Sequence, residues 1–473
     1  MVGITSYGAY VPRLRLPLQA IAGRPGREGG PERSVAYFDE DAVTMGVAAA
    51  VDCLRGVARD TVDGLLFAST SHPYREKQGA AVIAKALDLR RDVFTADFGG
   101  SLRAGTAALR AGLDARRAGT ARSVLVVASD CRLGAPRSAL ERNFGDGAAA
   151  FRVGDDEVAV AASDVHSISD EIIDVWRVEG QPFVRQWEER FVVEHGYRQN
   201  AVAVVEQFLA KTGSEPGDFA KLVLYGPDAR SHAALARALR FDPAAVQDPL
   251  FGRLGNAGAA FTPLLLAAAL EDARAGDRLL AVSYGDGADA LSLEVTDKLE
   301  KLAGRRGVGW HLRRRLTLRD YDAYLQIRNL EASEFDRKGG QGVSATVHYR
   351  DRDQDISFRA HRCRRCGTQQ FPFQRVCYGC FAKDDFDEVR LSDKPARILS
   401  YTFDYFAGSP DPPLAVVMVE AEGGCRVHLQ MTDVSPDEVK LDLPVEFAFR
   451  KIHEFGGTPN YFWKCTPVRG DAS

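Results

Sequence analysis

The stretch TADFGGSLRAGTAAL, residues 95–109, decides the fold. An apolar strand end runs into a Gly-Gly turn and then a segment rich in small residues, which predicts a strand, a tight turn and a helix over residues 101–118. Backbone N–H groups at the start of such a helix are unpaired and favour an anion. We call residues 99–103 the elbow. Elbows of this kind present nucleophiles, but the tip of this one offers only Ser101 and Leu102, and Ser101 is more simply explained as the helix N-cap.

Short apolar runs alternate with helical segments on both sides of the elbow. The runs expected to be strands are residues 62–69, 92–98, 123–129, 221–225 and 278–284, and burial is expected for those at 62–69, 123–129 and 221–225. The order of elements occurs twice, and each copy ends in a Gly-Asp-Gly turn, NFGDGA in the first and SYGDGA in the second. This repeat predicts two similar α/β halves, residues 1–165 and 166–300, packed face to face with the elbow helix near a central pocket.

Length and charge limit the possible functions. The chain has 473 residues, which is consistent with about two to four domains. Its formal net charge of -4 gives no reason to expect a nucleic-acid partner. No run of roughly 18 apolar residues predicts a membrane span. We therefore expect a cytoplasmic protein without a membrane partner.

Four of the eight cysteines form a tight cluster with metal-ligand spacing. Cys363 and Cys366 make one CxxC pair, and Cys377 and Cys380 make a second pair further along the chain. Two such pairs bring four thiolates into a tetrahedron that suits Zn²⁺, and four thiolates leave no open position, so the metal would be structural. The alternatives are a redox pair or a ribbon without metal. We expect a zinc ribbon over residues 346–392 that is stabilised by its metal.

The end of the chain has the alternating pattern of short β-strands. Five such segments within residues 393–473 predict a small β-barrel of the OB type, with sequences RILSYTF, LAVVMVE, RVHLQM, VEFAFR and NYFWKC. Residues 301–345, which lie between the second half and the ribbon, are expected to be a polar linker followed by helices.

Several motifs together carry a resemblance to a known family. They are STSHPY at residues 69–74, RAGTAA after the elbow, GDGAAA, LGNAG and VSYGDGA. Through them residues 1–300 resemble the thiolase superfamily, and most closely archaeal-type 3-hydroxy-3-methylglutaryl-CoA synthases. Residues 348–470 are similar to the acyl-CoA-associated zinc-ribbon and OB-fold module, of DUF35-like type, that accompanies many thiolase-like enzymes. The resemblance implies a duplicated five-layered α-β-α-β-α fold and a coenzyme A thioester as substrate.

The same resemblance implies a catalytic Glu, Cys and His, and this chain has other residues at all three positions. They are Thr70 for the Glu, Leu102 for the Cys and Tyr225 for the His. Leucine cannot be acylated, so a route through an acyl-cysteine is closed. Ser101 is a poor replacement, because one step along a helix turns a side chain by about 100°. The Asn of the LGN turn is kept as Asn256.

The remaining polar residues suggest chemistry on a thioester without a covalent intermediate. Asn256 and the elbow N–H groups would form an oxyanion hole for a CoA enolate. Tyr225 would be an acid or base if its pKa, ordinarily about 10, were lowered; otherwise it is a core tyrosine. His72 is either an acid/base or a hydrogen-bonding loop residue. Asp146 and Asp286 are expected to be turn formers.

Weaker candidates come from position alone. Asp130 and Arg132 come just after a strand and would either face the pocket or, as the simpler explanation, form a surface pair. His195 and Tyr197 precede a helix and would line an acyl pocket. Three nearby aromatic residues suggest an apolar or aromatic acyl group: Phe183, Trp187 and Phe191.

Three functions are compatible with this pattern. The first is an aldolase or retro-aldolase acting on a β-hydroxyacyl-CoA, similar to thiolase-like side-chain aldolases of steroid degradation. The second is a synthase or acyltransferase with rearranged catalytic residues, and the third is a non-catalytic subunit that pairs with an active paralogue. Each predicts a homodimer or hetero-oligomer, for which the resemblance implies pairing of the strand at residues 123–129 across a two-fold axis.

Overall fold

The protein is described by a computed structural model that covers residues 1–27, 29–330, 344–455 and 458–470. Two compact units divide the chain. The first contains residues 1–37, 41–84 and 89–324, and the second contains residues 38–40, 85–88 and 325–473. The first unit therefore continues past the boundary expected at residue 300.

One nine-stranded mixed sheet dominates the first unit, in the order β11-β12-β13-β8-β1-β7-β6-β4-β5. The two halves of the sheet meet where Gly3 and Ile4 of β1 pair with Ala161 and Val160 of β8. The strands of this unit are β1 (Gly3–Tyr10), β2 (Leu14–Pro17), β3 (Glu32–Val35), β4 (Gly64–Ala68), β5 (Phe94–Phe98), β6 (Val124–Asp130), β7 (Gly147–Gly154), β8 (Val160–Ser169), β9 (Val175–Trp176), β10 (Arg185–Gln186), β11 (Lys221–Leu224), β12 (Arg278–Tyr284), β13 (Gly287–Val295) and β14 (Leu316–Thr317). Strands β14, β2 and β3 form a small sheet, and β9 and β10 form a separate two-stranded ribbon.

Helices cover this sheet because its strands are apolar on both faces. They are α1 (Leu18–Ile21), α2 (Ala42–Cys53), α3 (Gly79–Ala86), α4 (Ala104–Arg117), α5 (Ala139–Asn143), α6 (Glu189–Phe191), α7 (Gln199–Thr212), α8 (Ala229–Ala238), α9 (Phe261–Asp272), α10 (Gly307–Arg313) and α11 (Tyr321–Ile327). A π-helical turn, Val192–Arg198, precedes α7. Short 3₁₀ segments are Arg59–Thr61, Pro216–Asp218, Gly258–Ala260 and Asp297–Leu302.

The elbow helix α4 lies at the centre of the first unit, as the internal repeat predicts. Gly105 of α4 sits so close to the other half that a Cβ there would be 2.3 Å from the carbonyl oxygen of Ala259 and 2.8 Å from Cγ of Pro263. Only glycine permits this approach of α4 to α9. The prediction that Ser101 caps this helix is wrong, because α4 begins at Ala104 and Arg103 holds the N-cap position without a side-chain cap bond.

The expected pairing strand is not at an edge. Strand β6, which corresponds to residues 123–129, pairs with β4 on one side and β7 on the other. The terminal strand of this half is β5, which pairs only with β4 within the described chain. Both hydrogen-bonding sides of β6 are therefore occupied, and the two-fold pairing expected for it is wrong.

Helices α10 and α11 lie in the region where a polar linker followed by helices is expected, and α10 begins already at Gly307. Helix α10 buries Val308, Trp310 and His311. The carboxylate of Glu271 accepts a hydrogen bond from the backbone N–H of Gly309 at 3.0 Å, which pairs one of the orphan donors at the helix start. Part of the expected helical region, residues 331–343, lies outside the described residues.

The second unit contains helix α12 (Ala345–Asp355), a three-stranded ribbon and a five-stranded sheet. Its strands are β15 (Arg359–Cys363), β16 (Gln369–Gln370), β17 (Phe386–Arg390), β18 (Ala396–Asp404), β19 (Leu414–Ala421), β20 (Cys425–Gln430), β21 (Pro444–Phe455) and β22 (Thr458–Pro467), with a 3₁₀ turn at Pro436–Glu438. A bridge between Met431 and Cys465 joins the two ends of the larger sheet, as a small barrel requires. All five strands predicted from the alternating pattern are present.

A buried charge cluster lies inside the second unit. The Asp39 carboxylate accepts from Lys464 Nζ at 2.8 Å and lies 3.5 Å from Arg450 Nε. Arg450 Nη2 also lies 3.2 Å from Glu40 and 3.1 Å from Asp433. The Asp39, Arg450 and Lys464 side chains are at most 2% exposed. Three acidic and two basic groups are thus held away from water next to the barrel strands β21 and β22.

No helix among the described residues is both long and apolar enough to cross a membrane.

Candidate active site

A cavity of about 210 Å³ opens beside the elbow in the first unit. Residues from both halves line it: Thr70, Gly100, Ser101, Leu102, Arg132, Ile172, Asp174, Val175, Trp176, Arg177, Val184, Tyr284, Gly285 and Asp286. The repeat in the sequence predicts a pocket at this place. Two positions of the replaced trio, Thr70 and Leu102, are in its wall.

At the elbow, Leu102 occupies the position in the cavity wall where a nucleophilic side chain is expected. Leu102 is 8% exposed and packs in the core of the unit. The Ser101 hydroxyl is buried and has no hydrogen-bond partner among the described residues. Among the described residues, no base lies within hydrogen-bond distance of this hydroxyl.

The elbow is fastened to the second half by Arg103. Its Nη1 donates to Asp289 Oδ1 at 3.1 Å and to the Ile168 carbonyl at 2.9 Å. Thr106, one turn further along α4, donates to the other Asp289 oxygen at 2.8 Å. This pairing positions the elbow against the GDG turn that precedes β13.

Asp130 holds the loop that carries Thr70. Its carboxylate accepts from the Thr70 hydroxyl at 2.7 Å, the Ser69 hydroxyl at 2.8 Å and the Ser71 hydroxyl at 2.7 Å. It also accepts from the backbone N–H of Ala259 at 2.7 Å. Asp130 is fully buried, so the prediction that it belongs to a surface pair is wrong. Its lone pairs are satisfied, and its role is structural.

Arg132 is also buried, and it reaches the cavity. Only 5% of the residue is exposed. Its Nη2 donates to Asn256 Oδ1 at 2.7 Å, and its guanidinium lies 4.1 Å from the centre of the Phe144 ring. Within the described chain no carboxylate oxygen lies within 4 Å of its nitrogens. The Asp130 carboxylate lies a little further away, since a Cβ on Gly258 would be 2.2 Å from Asp130 Oδ2 and 2.7 Å from Arg132 Nε. Arg132 also lowers the pKa of Asp174, so its positive charge acts on the groups of the cavity wall.

Tyr225 is a poor base in this environment. It is 3% exposed, and burial raises its pKa to about 12, although Arg132 acts in the opposite direction. Its carbonyl accepts from the Tyr197 hydroxyl at 2.6 Å. Its ring packs edge-on against Phe261 and is tilted against Tyr284. Tyr225 therefore stays protonated and acts at most as a donor.

Asn256 is occupied with protein partners. Its Nδ2 donates to the Gly226 carbonyl at 2.8 Å, and its Oδ1 accepts from Gly258 N at 2.9 Å as well as from Arg132. These bonds orient the Arg132 guanidinium. Asn256 is not among the described residues that line the cavity, and its expected place in an oxyanion hole stays a prediction.

Asp174 and Tyr284 both lie in the cavity wall. Burial raises the pKa of the Asp174 carboxyl, and the Tyr284 hydroxyl and Arg132 partly oppose this effect. Burial and the facing Asp174 raise the pKa of Tyr284 well above its usual value. Asp174 thus exchanges a proton nearer neutral pH than an ordinary aspartate, while Tyr284 remains protonated.

His72 and the weaker histidine candidate do not reach the cavity. A His72 ring nitrogen lies 3.2 Å from the Phe98 carbonyl, and the ring packs edge-on against Phe67. This arrangement fits the loop hydrogen-bonder that was the alternative for His72. His195 is exposed and stacks on Phe191.

The other residues that the sequence suggests for the site lie in turns, at the cavity mouth or away from the cavity. Asp146 is buried and accepts from Ala36 N at 2.7 Å, which fits a turn-forming role. Asp286 is exposed at the cavity mouth with a φ of 48°. The aromatic residues Phe183, Trp187 and Phe191 do not line the cavity, whereas Trp176 and Val184 do.

The residues missed by sequence reasoning carry only weak sequence signals. Tyr284 is the last residue of β12, directly before the GDG turn, and its place at a strand end was a usable signal. Asp174 lies between β8 and β9 in an irregular segment, so no periodicity marks it. It reaches the cavity because the β9–β10 ribbon folds back over the elbow side.

The four clustered cysteines meet in the second unit. Their sulfur atoms all lie within 4.8 Å of one another. Cys363 Sγ lies 3.6 Å from Cys380 Sγ, and Cys366 Sγ lies 3.5 Å from Cys377 Sγ. A tetrahedron with Zn–S bonds of about 2.3 Å needs sulfur atoms about 3.8 Å apart, so the group fits Zn²⁺.

The fold and the cavity between its halves define a thiolase-type α/β protein joined to an OB-type barrel. A solved "HMG_CoA synthase complexed with CoA" aligns with a TM-score of 0.63 and 19% identity, covering 73% of this chain and 95% of that one. The "Curacin Biosynthetic Pathway HMG Synthase in Complex with Holo Donor-ACP" aligns with a TM-score of 0.63 and 18% identity, covering 82% and 99%. Two family profiles match, "3-oxoacyl-(acyl-carrier-protein) synthase III C terminal" at residues 209–295 and "ChsH2, C-terminal OB-fold domain" at residues 388–450.

Sequence relatives define the family more closely. Hydroxymethylglutaryl-CoA synthase of Methanocaldococcus jannaschii is 30% identical over 341 residues, covering 69% of this chain and 99% of the relative. The enzyme of the same name from Pyrococcus horikoshii is 33% identical over 339 residues, covering 69% and 96%. The chain belongs to the hydroxymethylglutaryl-CoA synthase family, and it carries a barrel module in addition.

Proposed function

We propose that the protein forms or cleaves a carbon–carbon bond in a coenzyme A thioester by aldol chemistry, without an acyl-enzyme. The substrate class is a β-hydroxyacyl-CoA. The observation that carries the proposal is Arg132, a buried guanidinium in the wall of a cavity whose elbow presents Leu102. A cation placed in this way stabilises the negative charge that develops on a thioester enolate.

The cleavage reaction can be assigned to residues of the cavity. The Asp174 carboxylate takes the proton of the β-hydroxyl, and the electron pair of that O–H bond forms the carbonyl of the released aldehyde or ketone. The bond between the α- and β-carbons breaks, and its electrons enter the thioester as an enolate that faces Arg132. Asp174 then returns its proton to the α-carbon, which leaves the shortened acyl-CoA. Tyr284 stays protonated, because burial and Asp174 raise its pKa.

A synthase-like reaction is the second candidate, and the relatives favour it. Proteins 30–33% identical to this chain carry the name hydroxymethylglutaryl-CoA synthase. With Leu102 at the elbow, condensation on this chain would proceed by direct attack of an enolate on the carbonyl compound. It is the reverse of the cleavage and uses the same residues. A subunit that is inactive alone is the third candidate.

The deciding experiment incubates the purified full chain with 3-hydroxy-3-phenylpropanoyl-CoA and measures benzaldehyde and acetyl-CoA by mass spectrometry. The thioester without the β-hydroxyl, 3-phenylpropanoyl-CoA, is the matched control substrate. We expect cleavage of the first compound only, and no acyl adduct on the protein after incubation with acetyl-CoA. An acyl adduct would support a rearranged synthase. Turnover that appears only with a co-purifying thiolase-fold partner would support the non-catalytic subunit.

Two further assignments accompany this function. We propose that the four-cysteine group holds a structural Zn²⁺, supported by the sulfur separations and by the closed ligand set.

We also propose a dimer that uses the free edge of β5. This is supported by the absence of a described strand beyond β5 and by the exposure of Phe94, which is 41%.

A further inference from the structure

Strand β18 of the barrel has a hydrogen-bonding edge that its own sheet leaves open. On one side the strand pairs with β19 along its whole length. On the other side, hydrogen bonds to β21 and the turn before it stop at Ile398. The ladder with β19 shifts register between Ile398 and Ser400, and such a bulge bends a strand. Among the described residues, no strand covers the outer side of residues 400–404, which we call the open β18 edge.

The open β18 edge lacks the usual protection of an exposed strand. Natural sheets guard their free edges with lysine, proline or very short strands. Residues 400–404 read SYTFD, with neither lysine nor proline, and their only charge is Asp404 at the end. The side chains of Ser400, Tyr401, Thr402 and Asp404 are exposed. An uncovered edge of this composition is a template for pairing with another strand.

The sequence of this edge is complementary to itself in the antiparallel direction. When two copies pair about a two-fold axis at Thr402, Tyr401 of each chain lies opposite Phe403 of the other. Within one chain the centres of these two rings are 5.7 Å apart, so the pairing gathers four rings, and aromatic cross-strand pairs are stabilising. The same register places Asp404 opposite Ser400, so no like charges face each other.

We infer that two copies of this chain join their open β18 edges into one continuous antiparallel sheet centred on Thr402. The occupant is a second copy because a single register provides the aromatic pairs and keeps the two Asp404 carboxylates apart. This interface belongs to the barrel, is separate from the β5 edge of the first unit, and does not depend on the reaction proposed for the cavity.

The first test is cysteine cross-linking of the full chain. The Cα atoms of directly opposite residues lie about 4.5–5.5 Å apart, which a disulfide can bridge, so Thr402→Cys should link two chains. Ser400→Cys is the matched control, because it is equally exposed but stays about 14 Å from its own copy in this register. Under mild oxidation we expect Thr402→Cys to form a covalent dimer at least tenfold faster than Ser400→Cys or the unmodified chain.

Amide exchange gives a second readout that needs no added cysteine. Exchange of residues 400–404 should slow at least tenfold as the protein concentration rises. Thr402→Lys should abolish this slowing, because it brings like charges directly opposite each other, and thermal unfolding shows that the variant remains folded.

Two results would overturn the inference: equal cross-linking of Thr402→Cys and Ser400→Cys, or exchange of residues 400–404 that does not change with concentration. Slowing that requires a co-purifying protein would also overturn it, because the edge would then belong to a foreign strand. Exchange of residues 94–98 in the same experiment reports the β5 edge separately, so the failure of one interface can be told from the failure of the other.

Discussion

Arg132 Nη2 donates a hydrogen bond of 2.7 Å to Asn256 Oδ1, and this bond joins the two halves of the thiolase-type fold at the cavity. Arg132 follows β6 in the first half, and Asn256 stands in the LGN turn of the second half. Asn256 is in turn held by Gly226 and Gly258. The asparagine that the family resemblance places near an oxyanion thus contacts the arginine, and the arginine lines the cavity.

This relationship predicts different outcomes for the two residues. Arg132→Met should lower kcat by about 10²–10³, because the enolate loses its cation. Its stability should not fall, because a buried charge is removed. Asn256→Leu should lower the free energy of unfolding by about 1–3 kcal/mol, since the arginine and the two glycine backbone groups lose their partner. Steady-state kinetics and denaturant unfolding measure both effects.

The matched control for Arg132→Met is Arg230→Met, which removes an exposed arginine from α8. It should leave kcat within about twofold and stability within about 0.5 kcal/mol. Equal loss of activity in both variants would contradict the role of Arg132.

The pH dependence of activity should report Asp174. Because burial raises the pKa of this carboxyl, kcat/KM should rise with pH through an apparent pKa above the ordinary value of about 3.9. Asp174→Asn should lower kcat strongly and abolish this acidic limb. An unchanged limb in Asp174→Asn would assign it to another group.

The same shift has a consequence for stability. A carboxyl whose pKa is higher in the folded state favours folding when protonated, and this contribution is lost as the pH rises through the folded-state pKa. Asp174→Asn should therefore be more stable than the unmodified chain at neutral pH, and the difference should shrink towards acidic pH. Thermal unfolding at several pH values measures it. A difference that grows on acidification would contradict the raised pKa.

The buried charge cluster of the second unit should be sensitive to loss of one member. Asp39→Leu leaves Lys464 and Arg450 buried without this partner, and should cost about 3–5 kcal/mol. Asp442→Asn is the control, because it removes an acid paired with Arg397 at 2.6 Å on the exposed surface, and should cost about 0–1 kcal/mol. Urea unfolding of the full chain compares them, and similar costs would contradict the cluster's importance.

Metal removal should unfold the ribbon. Cys363→Ser should lose the zinc that elemental analysis is expected to find at one ion per chain, and proteolysis should then cut within the second unit. Cys131→Ser, a partly exposed cysteine of the first unit, is the control and should retain zinc. Zinc retention in Cys363→Ser would contradict the ligand set.

The free edge of β5 predicts the assembly. Light scattering after size exclusion should give about twice the chain mass of 51.6 kDa. Amide exchange of residues 94–98 should slow as protein concentration rises, because the edge becomes paired. The other terminal strand, β11, is the internal control, since its Leu222 already bridges Val246. A monomeric mass, together with amide exchange of residues 94–98 that does not change with protein concentration, would contradict the dimer.

Much of the architecture follows from local pattern. Apolar runs predict β4, β6 and β12, because strands covered on both faces cannot be polar. Alternation predicts all five barrel strands, and the CxxC spacing brings the four sulfur atoms together. The start of the elbow helix is predicted less well. The sequence predicts a start at Ser101, whereas α4 begins at Ala104 because residues 101–103 belong to the turn.

The duplicated halves, the ribbon and barrel, and the lack of a cysteine at the elbow can be predicted from the sequence, because each depends on residue type and short spacing. The packing of distant segments is needed for the rest: it buries Arg132 in the cavity wall, places Asp174 in the same wall, and raises the pKa values of Asp174 and Tyr225 by burial. Burial and charge separation depend on residues far apart in the chain, and they set the pKa values on which the chemistry depends.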